Sequence, residues 1–171
     1  MKGSRGSILL FTIVLGIPLL LVMAGVAVDM ADLVTVRSEL HRSMDAAALA
    51  GAGKLAFDAS VFDLPLPNGV RANAVDYGAK NPTHVGPVTL NLNTSNNPAG
   101  DIVLGTWNGL TSTFAPWDGS LNGTQVNAVL CRKTQSVPTS FLRLIGLNSM
   151  LISAQSIAVA NPPNSIPPPA C

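Results

Sequence analysis

From Ile8 to Val28 the chain carries no charged and no amide side chain. A run of about 20 such residues, rising ~1.5 Å each as a helix, matches the ~30 Å hydrocarbon core of a bilayer. Lys2 and Arg5 precede the run, and Asp29 and Asp32 follow it. The positive-inside rule therefore places the amino terminus in the cytoplasm and everything beyond Val28 on the far side. Pro18 removes one backbone donor in mid-span, which membrane helices tolerate. The same features also fit a secretory leader, with Gly25-Val26-Ala27 as a small-x-small site and cleavage after Ala27. The length of the run, and a helical pattern that continues through that site, favour an uncleaved anchor.

Beyond the run the period changes. Leu33, Val36, Leu40, Met44, Ala47, Gly51 and Leu55 recur at gaps of three and four, which describes one face of a helix. Arg37, Glu39, Arg42 and Asp45 occupy the other face, with Glu39 and Arg42 at helical-neighbour spacing. No proline interrupts residues 19–64. The pattern predicts one helix from residue 7 to residue 56, about 75 Å long, apolar in its first half and amphipathic in its second.

Within the amphipathic half, residues 43–53 read SMDAAALAGAG. Alanine keeps a helix at almost no side-chain entropy cost, whereas Gly51 and Gly53 each weaken it by about 1 kcal/mol. Ala47/Gly51 and Ala48/Ala52 are four apart, the spacing that lets another backbone approach. Ala47, Ala48, Gly51 and Ala52 are thus the helix-packing candidates. Their occupant is either the chain's own sheet or another subunit, and the residues leave both open.

The remainder is more broken. Leu64-Pro-Leu-Pro-Asn-Gly69 is a breaker cluster, and Val70–Lys80 can form a short helix with Val70, Ala74 and Tyr77 on one side. Residues 87–93 (PVTLNLN) alternate apolar and polar and predict a half-buried strand. Residues 93–98 form a turn, and 101–107 and 125–132 predict strands on either side of the polar loop 108–124. Residues 138–147 open on Pro138 and predict a helix ending near Gly146, and 149–160 a last strand. The tail 161–171, NPPNSIPPPAC, cannot join a sheet interior. The expected class is α+β, with a long amino-terminal helix followed by a small antiparallel-sheet domain. Its expected divisions are a cytoplasmic 1–7, a transmembrane 8–28, a helix extension 29–56, a domain 57–160 and a Pro-rich tail 161–171.

Composition narrows the chemistry. Charged residues make up 11% of the chain, against about a quarter in soluble domains, as a membrane span implies. The net charge is +1 and the bases do not cluster beyond Arg132-Lys133, so nucleic acid, which demands several phosphate contacts from one face, is excluded as a partner. His41 and His84 have no ligand spacing to either cysteine. Glu39 is the single glutamate, and neither a nucleophile elbow nor a phosphate loop occurs. No catalytic residue, metal, cofactor or small-molecule substrate is expected. Cys131 and Cys171 lie beyond the membrane, where disulfides are permitted; either they form one bridge or Cys131 is a buried thiol and Cys171 a loose one. Asp29 and Asp32 are read as membrane-boundary charges. Either they mark the water interface, or Asp29 sits slightly inside and pairs with a cation on a neighbouring subunit, because a lone charge in lipid is costly. Trp107 and Trp117 frame a polar loop, as core anchors or as a sticky tip.

Residues 5–55 resemble the amino-terminal segment of TadG-like and TadE-like proteins of the tight-adherence (Flp pilus) system. The matching features are Arg5-Gly6 before the span, Asp29 at its outer end, the run to Arg37 and Leu40, and Asp45-Ala-Ala-Ala-Leu-Ala-Gly51. Weaker similarity continues through 72–81, Val103-Leu-Gly-Thr-Trp107, Val126-Asn-Ala-Val129 and the ending Phe141…Gly146…Ala154…Ala160. The resemblance implies a non-catalytic, pilin-like accessory protein of pilus assembly and surface adhesion. It implies a single pass through the bacterial inner membrane, with the carboxyl-terminal domain periplasmic or extracellular. Its expected partners are membrane lipid and other pilus-assembly subunits. Prepilin-type processing after Gly6 fits poorly, since Phe11 then stands where pilins carry Glu. Larger relatives carry a von Willebrand A-type domain, for which there is no room here. Asp58-Ala-Ser60-Val-Phe62 lacks the second serine of its metal motif, so no adhesion metal site carries over. The alternative function is a tethered, adhesin-like ligand-binding module.

Overall fold

The structure, a computed structural model, describes residues 4–57, 69–118 and 126–160. Residues 1–3, the tail 161–171 with Cys171, most of the breaker cluster and Asp58–Phe62 lie outside the described residues. Helix α1 runs Ser4–Phe57 and α2 runs Val70–Ala79. Strands β1 (Ile102–Asn108), β2 (Thr113–Pro116), β3 (Ala128–Pro138) and β4 (Ser149–Val159) form one antiparallel sheet in the order β2-β1-β3-β4. A 3-10 turn, Leu142–Ile145, separates β3 from β4. The α+β class with a long first helix stands.

Two compact units are present: Met1–Val36 with Ser136–Ile152, and Arg37–Gln135 with Ser153–Cys171. In the first unit α1 is long and apolar enough to cross a membrane. Its large apolar side chains from Leu10 to Met23 are exposed. Gly25, Asp29, Leu33 and Val36 are its buried positions, three and four apart as one helix face requires.

In the second unit the buried positions of α1 are Leu40, Ser43, Met44, Ala47, Ala48, Gly51, Ala52 and Leu55. Among them Gly51 meets the sheet at Val129, and Ser43 and Ala47 meet α2 at Gly78. Antiparallel register pairs Leu104 with Val129 and Ile102 with Cys131, so all four side chains share a face, and all four are fully buried. Gly51 lies directly over Val129. Helix α2 packs on α1 where Gly78 meets Ala47, and the Ser43 hydroxyl donates to the Gly78 carbonyl at 3.0 Å.

Two expected elements take another form. Residues 87–93 bury Val88 and Leu90 but leave Leu92 41% exposed, and they join no ladder. The Asn91 N–H donates instead to the Asp101 carboxylate at 2.9 Å. Alternation specifies which side chains turn inward; pairing needs a free edge as well, and both edges of β1 are taken. The fourth strand is β2, inside the expected polar loop, where Trp107 pairs with Phe114 across the hairpin. The helix expected over 138–147 shrinks to the four-residue 3-10 turn. Pro138 ends β3, and Gly146, at φ 92°, closes the turn in the left-handed region.

Candidate functional site

The small-residue face of α1 is turned toward its own chain. Ala47, Ala48, Gly51 and Ala52 are all buried. A Cβ at Gly51 would stand 3.1 Å from Cγ1 of Val129 and 3.5 Å from the Val70 carbonyl oxygen. A Cβ at Gly78 would stand 3.5 Å from that of Ala47. The space left by the missing side chains is therefore filled by β3 and α2. On the neighbouring flank of α1, Leu49 is 66% exposed, and Ala46, Ala50, Gly53 and Tyr77 line an open groove of about 410 Å³.

Asp29 is buried, and both carboxylate oxygens are occupied. One accepts the Ser140 N–H at 3.0 Å; the other accepts those of Phe141 at 2.9 Å and Leu142 at 2.6 Å. These are the orphan donors at the start of the 3-10 turn, which a carboxylate satisfies well. The carboxylate oxygens of Asp29 are thus taken up by the chain's own backbone. Asp32, one turn on, is half-buried.

Glu39 binds His84 twice: its Oε2 accepts the backbone N–H at 2.9 Å and lies 2.8 Å from the ring Nδ1. The backbone bond first, and the ring bond next, hold its pKa below the ordinary glutamate value. A carboxyl lowered on folding contributes stability above its unfolded pKa and loses it as pH falls through the folded one. Thermal unfolding followed against pH should therefore show a midpoint that drops on acidification below the ordinary glutamate range. Glu39→Gln should flatten that dependence, and an unchanged acid limb in the variant would count against the contact.

His41 lines an open groove of about 530 Å³ with Arg37, Asp101, Arg132 and Lys133. Its cations are largely engaged: Lys133 Nζ is 2.8 Å from Asp101, and Arg132 Nε donates to the Gly100 carbonyl at 2.9 Å. Among the described residues no three His, Cys, Asp or Glu side chains come together as metal ligands. Cys131 is a buried free thiol, its pKa pushed up to about 12 by desolvation and then by the charge of Asp101.

Residues 93–98, expected as a simple turn, build a buried network. Asn93 and Asn96 both adopt φ 52°, a conformation asparagine tolerates better than most residues. The Asn96 amide donates to the carbonyls of Leu104 (2.9 Å) and Trp117 (2.8 Å). Its oxygen accepts the Leu104 N–H (2.8 Å) and Nη2 of Arg71 (2.9 Å). A side-chain amide thus continues the β1 ladder past the end of β2. The run of asparagines was the signal available, but what it would bond to was not. Trp107 and Trp117 are half-buried, and Trp117 lines an open groove of about 620 Å³ with Asn97 and Asp118.

Two family matches cover most of the chain. Residues 6–54 match the Flp pilus-assembly TadE/G-like family, and residues 44–158 match the Tad-like Flp pilus-assembly family. The first covers the apolar run and most of the helix extension; the second covers α2 and all of the sheet but its last residue. Neither the curated proteins nor the solved structures give a match.

Proposed function

Because the chain belongs to the Tad-like Flp pilus-assembly family, we propose that it is a membrane-anchored, pilin-like accessory subunit of pilus assembly with a structural, non-catalytic role. The observation that carries this reading is the join of the two family regions on α1, whose side chains from Leu10 to Met23 are exposed and apolar. An apolar surface of that length is unfavourable in water and suited to a bilayer. Residues 8–28 then form a single span of the bacterial inner membrane, with the amino terminus in the cytoplasm. The sheet-bearing unit lies in the periplasm or outside the cell.

The buried small-residue face supports an internal role for Ala47, Ala48, Gly51 and Ala52. The exposed stretch of residues 10–23 is the part of the helix left to meet lipid and other assembly subunits. Surface adhesion enters as a consequence of the pili. Deletion of the protein in a strain that makes Flp pili should lower piliation, with recovery on re-expression of the intact chain. Normal pili in the deletion strain would overturn the reading.

A further inference from the structure

The loop between β3 and β4 carries an exposed apolar tip. Ser140-Phe-Leu-Arg-Leu-Ile-Gly-Leu147 has five large apolar residues, one cation and no acid. Only Leu142 is buried; Phe141 is 44%, Leu144 76%, Ile145 65% and Leu147 49% exposed. Surface loops are ordinarily polar, so a tip of this kind calls for something to cover it.

The tip is also held in place. At its neck the Thr139 N–H donates to the Asn148 carbonyl at 3.1 Å, and its hydroxyl donates to the Leu147 carbonyl. Gly146 N–H bonds back to Arg143 and Leu147 N–H to Leu142, each at 3.1 Å. Asp29 takes the three leading N–H groups. Phe141 lies over Gly25, where a Cβ would fall 2.5 Å from its ring. Phe141, Leu144 and Ile145 share an apolar pocket of about 170 Å³ with Leu21, Val22 and Val26 of α1. Those helix residues precede Asp29 by about 5 to 12 Å along the axis.

We propose that this tip is a second membrane contact, inserted in the outer leaflet beside the span, with phospholipid as its occupant. The proposal rests on the reading of residues 8–28 as a span. Phe141, Leu144 and Ile145 continue the apolar surface of Leu21–Val26 and lie among acyl chains. Arg143 reaches the phosphate level, as a long cationic side chain can. Residues 140–147 themselves carry no acid, and the carboxylate beside them, Asp29, is taken up by their backbone N–H groups. Asp29, a charge that lipid would penalise, enters with both oxygens hydrogen-bonded.

Full-length protein carrying Cys171→Ser tests this, with single cysteines introduced as Leu144→Cys, Leu15→Cys and Leu110→Cys. The parent without an added cysteine serves as the check that buried Cys131 takes no label. Each fluorophore-labelled chain is reconstituted in phosphatidylethanolamine/phosphatidylglycerol vesicles and quenched by spin-labelled lipid or by aqueous iodide. The label at 144 should be quenched by lipid at a depth of about 5–10 Å, the range of interfacial segments, and be protected from iodide. The label at 15 should lie deeper, and the one at 110, where Leu110 is 99% exposed, should remain aqueous. Iodide access at 144 with lipid access at 15 overturns the tip insertion and leaves the span standing. Iodide access at 15 overturns the span and the tip together. Shielding of 144 from both quenchers overturns lipid as the occupant in favour of a protein.

Discussion

Gly51→Leu is expected to destabilise the sheet-bearing unit by about 3 kcal/mol, the upper range for overpacking a filled interior. A single Cβ at Gly51 already comes within 3.1 Å of Val129 and 3.5 Å of a backbone oxygen. Three further carbons have nowhere to go unless α1 lifts from Val129, which would expose the face formed by Ile102, Leu104, Val129 and Cys131. Gly53→Leu is the matched control, since nothing lies within 4 Å of a Cβ there. It should gain up to about 1 kcal/mol from the better helix former. Denaturant unfolding of both variants in the same detergent distinguishes the two positions. Intact stability of the Gly51 variant, with pilus assembly lost, would instead mean that the face meets another subunit.

Removing the Asn96 side chain should be of similar size. In Asn96→Gly the φ of 52° remains available. The carbonyl and N–H of Leu104 and the Nη2 of Arg71 lose the bonds that Asn96 supplies. Buried groups left without a partner cost about 1–3 kcal/mol each. The Trp117 N–H still bonds the Leu104 carbonyl at 2.9 Å, which limits the expected loss to about 3 kcal/mol. Asn96→Ala should lose about 1 kcal/mol more, the cost of the left-handed region for a residue with a Cβ. A glycine variant as stable as the parent would show that the ladder extension contributes nothing.

The first helix could be read from the chain with little error, because its two signals are local. An apolar run of membrane length and an apolar stripe at gaps of three and four each need only neighbouring residues. The structure ends α1 at Phe57 against an expected 56. Helix α2 and strand β4 were legible for the same reason. Residues 87–93 were not, although their alternation correctly marks Val88 and Leu90 as inward. Strand identity depends on which edges are free, and beyond the end of β2 the edge of β1 is met by the side chains of Asn93 and Asn96 instead of a strand.

Sequence by itself determined the class of the protein: an apolar helix of bilayer length, an amphipathic continuation and a small antiparallel sheet. Those features are short-range patterns of size, polarity and charge. Tertiary structure decided what the special residues touch. Gly51 faces Val129, 78 positions downstream; Asp29 holds the backbone of residues 140–142; Asn96 stands in for a strand beside Leu104. The first two join segments far apart in the chain and the third spans eight positions; each is chosen by hydrogen-bonding need or by the space a missing side chain leaves. No local pattern encodes the partner of such a contact, because the partner exists only once the chain has folded.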